Sequence, residues 1–193
     1  MRGSGRAPLA FGKNLVMPVV DPLRLVAGPR TDWFVDPGGD ASTLNAPAVL
    51  EPVRGDFVLG ARVEVDFAAT FDAGVLVLRR DDRTWAKLCF EYSPNGEPMV
   101  VSVVTRGVSD DCNSAVVEGN AVWLRAARIG RACAFHYSTD GSWWHLVRHF
   151  RLVEDGDLEA GVLVQSPTGE GCGATFTEIS FEPKTLVALR TGV

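Results

Sequence analysis

The chain has 193 residues, 46% of them hydrophobic, with a net charge of -5. That length suits one all-β domain with a full core and no need of disulfide staples. The acidic balance argues against nucleic acid as a partner. No apolar run approaches the ~18 residues of a membrane-spanning helix.

The opening stretch, "MRGSGRAPLAFGKNLVMPVVDP", carries two arginines but lacks the continuous apolar segment and cleavage site of a secretory signal. Residues 1–30 are therefore expected as a lead-in, residues 31–183 as the folded domain and residues 184–193 as a tail. Short Val-, Leu-, Phe- and Trp-rich runs then follow one another: "PAVLEP", "DFVLGARVEVDF", "AGVLVLRR", "TWAKLCFEY", "MVVSVVTR", "AVWLRAARI", "ACAFHYS", "WWHLVRHF", "LEAGVLVQS" and "GATFTEISF". Turn clusters such as "SPNGEP", "VEGN", "STDGS" and "EDGD" separate them. No stretch sustains a helical period, so the pattern predicts an all-β sandwich or barrel.

Two hairpins can be given a register. With Asn95-Gly96 at the tip, Tyr92 opposes Met99, Phe90 opposes Val101 and Leu88 opposes Val103, an apolar face expected in the core. Trp85, Lys87, Cys89 and Glu91 share the reverse face. The second hairpin, turning at Asp140-Gly141, sets Tyr137 against Trp144 and Phe135 against Leu146 on the face favoured as core, with His136 against His145 on the other. The sequence leaves open which of those faces is buried.

Cys89, Cys112, Cys133 and Cys172 form no C-x-x-C pair, which favours free thiols in a reduced, cytoplasmic setting over zinc or redox chemistry. Asp110 and Asp111 are adjacent carboxylates, but no calcium-loop pattern surrounds them. His136 and His145 lack a third ligand. No metal and no cofactor is expected.

The motifs F-D-A-G (Phe71 to Gly74), W-A-K-x-x-x-E (Trp85 to Glu91), S-V-V-T-x-G-x-S-D (Ser102 to Asp110), H-x-S-x-D-G-x-x-W-x-x-x-R (His136 to Arg148) and G-V-L-V-Q-S-P-x-G-x-G (Gly161 to Gly171) occur in this order. Together they resemble the domain-of-unknown-function family 1349 from about Asp32 to Glu182. The resemblance implies a concanavalin A-like jelly-roll sandwich of two curved antiparallel sheets and, more loosely, a connection with carbohydrate. One departure is Asp111, where the family commonly carries Trp.

Trp85, Lys87 and Glu91 then become candidates for a ligand-binding floor on the concave sheet, with Asp110, His136 and Asp72 nearby. A tryptophan can stack on a sugar face while charged groups hold hydroxyls. Lys87 and Glu91, four apart on a strand, lie roughly 13 Å from each other and cannot form one direct ion pair. Asp72 also reads as a plain turn residue. Sugar-binding residues facing solvent predict that Lys87→Ala leaves thermal stability nearly unchanged. Sandwich glucanases place acids as E-x-D-x-x-E or E-x-D-x-E, but here Glu64 and Asp66 are followed by Phe67, Ala68, Ala69 and Thr70, so the third acid is missing. The expected function is non-catalytic recognition of a carbohydrate or other polyhydroxy ligand. The alternatives are a glycan-directed enzyme using Glu91 and Lys87, or a protein-interaction module.

Overall fold

The computed structural model describes residues 21–193. The signal and lead-in expectations for residues 1–20 lie outside the described residues. Strands carry the described fold, and no α-helix occurs within it. In chain order they are β1 (Leu23–Ala27), β2 (Trp33–Val35), β3 (Ser42–Leu44), β4 (Ala48–Val53), β5 (Phe57–Val65), β6 (Ala73–Asp81), β7 (Thr84–Tyr92), β8 (Pro98–Arg106), β9 (Ser109–Val116), β10 (Ala121–Ile129), β11 (Ala132–Ser138), β12 (His145–Phe150), β13 (Leu158–Gln165) and β14 (Cys172–Glu182). One six-stranded sheet has the order β1-β14-β5-β10-β11-β12, and the other β4-β13-β6-β7-β8-β9. All pairings are antiparallel, which gives the all-β jelly-roll sandwich the sequence implies. The strand β1 falls inside the stretch expected as lead-in and pairs with β14.

Three layers of apolar packing follow from strand alternation. Between the sheets lie Phe57, Leu59, Val63, Leu76, Leu78, Leu88, Phe90, Val100, Leu124, Phe135 and Phe176. The outer face of the first sheet carries a small cluster of Val58, Ala127 and Leu186, the last from the tail. The outer face of the second sheet is also apolar at Val75, Val77, Trp85, Cys89, Val101, Val103 and Leu163, and Trp33 and Ala46 join that cluster. Those two residues come from β2 and from the turn after β3. The β2–β3 hairpin therefore caps the sheet face on which the sequence suggests a solvent-facing site.

The register of the β7–β8 hairpin differs by one residue from expectation. Tyr92 pairs with Pro98, Glu91 with Met99, Phe90 with Val100 and Lys87 with Val103. Pro94 is the cause. Its φ suits the second position of a type I turn, so Gly96 N–H donates to Ser93 O at 3.0 Å and Gly96 takes φ 79°, making a three-residue loop. Val101 and Val103 are buried as expected, but on the face of Lys87 rather than that of Phe90.

The β11–β12 hairpin is corrected in the same way. The Asp140 carboxylate accepts hydrogen bonds from the N–H groups of Ser142 and Trp143, each at 2.8 Å, which winds the turn beyond two residues. Tyr137 then pairs with His145, and after a bulge Phe135 pairs with Arg148. Phe135 and Tyr137 do face the core, joined by Val147 and Phe150 in place of Trp144 and Leu146. Phe90 is fully buried between the sheets, so Phe90→Ala should cost about 3–5 kcal/mol in denaturant melts; a loss below about 1 kcal/mol would contradict its placement.

Candidate functional site

The β7 strand carries alternating side chains outward, and Trp85, Lys87, Cys89 and Glu91 share its outer face. Trp85 is 0% exposed and meets Trp33 edge-on, with ring centroids 6.0 Å apart. It is a covered floor and no stacking platform, which corrects the expectation. Its Nε1 is buried and has no hydrogen-bond partner among the described residues.

Lys87 lies above that ring, Nζ 5.6 Å from the centroid, with a side chain only 2% exposed. Its ammonium donates to Asp32 Oδ1 at 3.0 Å and to Gln165 Oε1 at 2.8 Å. Both acceptors are held from behind. Asp32 N–H donates to Asn45 Oδ1 at 2.9 Å, across the β2–β3 hairpin. The Gln165 amide N–H donates to Phe71 O at 3.3 Å, which fixes the carbonyl end toward Lys87. Burial pulls the Lys87 pKa down, but Asp32 and its neighbours outweigh that and leave it raised.

Asp32, Lys87, Glu91, Asp111 and Gln165 line one open pocket of about 130 Å³, walled by Phe34, Phe71 and Val103. Glu91 is 9% exposed, and its carboxyl makes no hydrogen bond with the described residues. Burial pushes its carboxyl up to about 8; Lys87 opposes the shift, and Asp111 and Asp32 add to it. Partial burial also raises the Asp111 pKa, again against Lys87. Phe71 has φ 70°, a left-handed conformation that a bulky residue rarely adopts, and it is 36% exposed at the pocket wall.

The remaining expected site residues are placed elsewhere. Asp110 pairs with Val104 of the inter-sheet core, and its carboxylate accepts from Arg148 Nη2 at 2.9 Å, tying the two sheets together. Its neighbour Asp111 takes the opposite, outer face. His136 is buried on the outer face of the first sheet, Nε2 2.6 Å from Leu189 O, where burial lowers its pKa. Asp72 is fully buried; its carboxylate accepts from the N–H groups of Ala68 and Ala69 and, at 2.6 Å, from the Ser166 hydroxyl. It is a loop anchor. The sequence reading missed Asp32, Phe34, Phe71, Asp111 and Gln165; Phe71 and Gln165 sit in the quoted family motifs, and Asp111 marks the departure from them.

Residues 17–184 match a family described as a protein of unknown function (DUF1349). The chain belongs to the DUF1349 family. A functionally unknown protein from Saccharomyces cerevisiae is 26% identical, with 84% of this chain and 88% of that one covered at a TM-score of 0.78. A xylan beta-1,4-xylosidase from Bacillus halodurans shows 15% identity over 83% of this chain and 32% of its own, at 0.69. The GH43 protein BlXynB from Bacillus licheniformis shows 17% identity over 84% and 33%, at 0.68. The DUF1349 chain thus spans about a third of these two hydrolases. They share its concanavalin A-like sandwich. No curated protein matches it significantly.

Two outcomes follow from the burial. Lys87→Met should cost about 3 kcal/mol, because it strands Asp32 opposite an apolar chain, the loss being moderated by Asp32's partial contact with water. This reverses the expectation for a solvated lysine; an unchanged melting temperature would contradict the ion pair. For Glu91, the folded form keeps its proton up to about pH 8, whereas the free carboxyl releases it near 4.5. Unfolding therefore releases a proton between those values, and this contribution to stability, on the order of a few kcal/mol, is lost as pH rises through that window. Glu91→Gln should flatten that slope in urea melts run from acid to mildly alkaline pH; an identical slope in the variant would contradict it.

Proposed function

We propose that the Lys87–Glu91 pocket binds a polyhydroxy ligand, a carbohydrate unit first of all. The observation that carries this reading is Glu91, a residue 9% exposed in the pocket wall whose carboxyl has no hydrogen-bond partner among the described residues. Its oxygens open onto the pocket, where a ligand hydroxyl can bond to them in place of water. Lys87 uses two of its three N–H donors on Asp32 and Gln165. Asp111 supplies a further acceptor, and Phe34 and Phe71 supply apolar walls for a sugar's C–H face. The fold resembles that of glycan-active sandwich proteins, which is compatible with this role.

A second reading is favoured by the same carboxyl. A carboxylic acid held protonated at neutral pH beside a second carboxylate, Asp111, is the pairing that glycoside cleavage uses as acid and base. The missing third acid after Glu64 and Asp66 concerns another strand and does not bear on this pair.

A glycan array followed by calorimetry on the hits tests binding. Asp111→Ala and Phe71→Asn, the latter chosen because Asn accepts the left-handed backbone, should each weaken the best ligand about ten- to hundred-fold with little change in melting temperature. Affinity unchanged in both variants would place binding elsewhere. Aryl-glycoside turnover that disappears in Glu91→Gln would favour catalysis over recognition.

A further inference from the structure

The charges around the pocket are unbalanced. Among the described residues Lys87 is its one lining cation, and it is committed to Asp32 at 3.0 Å. Glu91 from β7 and Asp111 from β9 face the same space without a further cation among the described residues of the pocket wall. Arg148, whose charge acts on Asp111, gives its side-chain hydrogen bonds to Asp110 and Ser102 between the sheets. The other strands packed here bring Ala73, Val103 and Gln165, none of which titrates, and the remaining titratable neighbour, Cys89, is a buried thiol whose pKa burial raises well above its ordinary value.

We propose that this pocket selects a ligand bearing a protonated amine, an amino sugar over its neutral or acidic counterparts; the inference rests on the carbohydrate-binding role proposed above. Glu91 supplies the observation beyond the cluster itself. It is nine-tenths buried and lines the pocket, and its carboxyl has no hydrogen-bond partner among the described residues. An ammonium placed beside it gives that carboxyl the opposite charge that it lacks and gives Asp111 a second one. Phe34 and Phe71 present aromatic walls that also favour a cation over an anion. A neutral sugar leaves Glu91 as an uncharged acid and gains only ordinary hydrogen bonds. A carboxylate-bearing sugar meets the like charge of Asp111 and gains from the uncharged Glu91 only an ordinary hydrogen bond, while the charge of Lys87 is already balanced by Asp32 at 3.0 Å.

A consequence separates this from generic attraction to an acidic chain. Because an adjacent ammonium favours the ionised form of Glu91, binding transfers the Glu91 proton to buffer. Proton release is read as the dependence of calorimetric heat on the ionisation enthalpy of the buffer.

The test titrates the full chain with D-glucosamine, D-glucose and D-glucuronate at about pH 6.5, where the sugar amine is mostly protonated and a free carboxyl would be ionised. Glucosamine should bind at least about tenfold more tightly than glucose, glucuronate should bind most weakly, and glucosamine binding should release close to one proton. Glu91→Gln, checked by melting temperature to be folded, should abolish the proton release and reduce the preference to about twofold. Glucose binding as tightly as glucosamine, or glucuronate binding best, would overturn the amine preference and leave the carbohydrate reading standing. No saturable binding of any of the three sugars would overturn both.

Discussion

A buried ammonium organises one side of this sandwich. Lys87 is 2% exposed in the middle of a six-stranded sheet, where an uncompensated charge would cost several kcal/mol. Its compensation comes from two distant parts of the chain. Asp32 arrives on the segment leading into the β2–β3 hairpin, and Gln165 stands at the end of β13. The same ammonium thus ties the hairpin to the sheet, alongside the Trp33–Trp85 contact and the Val35 N–H bond to Ser109 Oγ at 2.9 Å. The fold places a charge where apolar packing would serve stability as well, and the charge in return fixes which segment covers the sheet.

The rest of the pocket follows from that commitment. Burial pushes the Glu91 carboxyl up to about 8, although Lys87, bonded to Asp32 and Gln165, still pulls it down. Behind it stands a chain of backbone positioning: Tyr92 O receives the Phe71 N–H at 2.7 Å, Phe71 O receives the Gln165 amide, and Asp72 anchors the loop from below. Phe71 keeps its left-handed backbone inside this network. Strain at an exposed aromatic in a pocket wall is what a ligand-facing residue held by its surroundings would show.

Much of this was legible in the sequence and some was not, for identifiable reasons. The alternation of β7 shows Lys87 and Glu91 on one face, because parity within a strand is local. The partner strand's parity depends on the turn, and Pro94 moved it by one residue, carrying Val101 and Val103 to the Lys87 face. Asp110 and Asp111 differ only in parity as well, and the β8–β9 register, which decides between them, passes through a bulge between Met99 and Val101. Trp85 reads as exposed only while the β2–β3 hairpin is unseen, and strands of three residues leave little periodic signal. The strand β9, "SDDCNSAV", is a polar edge strand and so lacks the apolar run that marks the others.

Ligand recognition here depends on one carboxyl staying neutral inside a pocket that already holds a lysine. A titration of the Glu91 side-chain carboxyl carbon by NMR, with Glu91→Gln used to assign the resonance, measures this directly. A midpoint at about 8 is the result expected from its burial and from the engagement of Lys87 with Asp32. A midpoint near the ordinary 4.5 would show that Lys87 or water satisfies Glu91, and the pocket would then contain no unmatched acid for a ligand to meet.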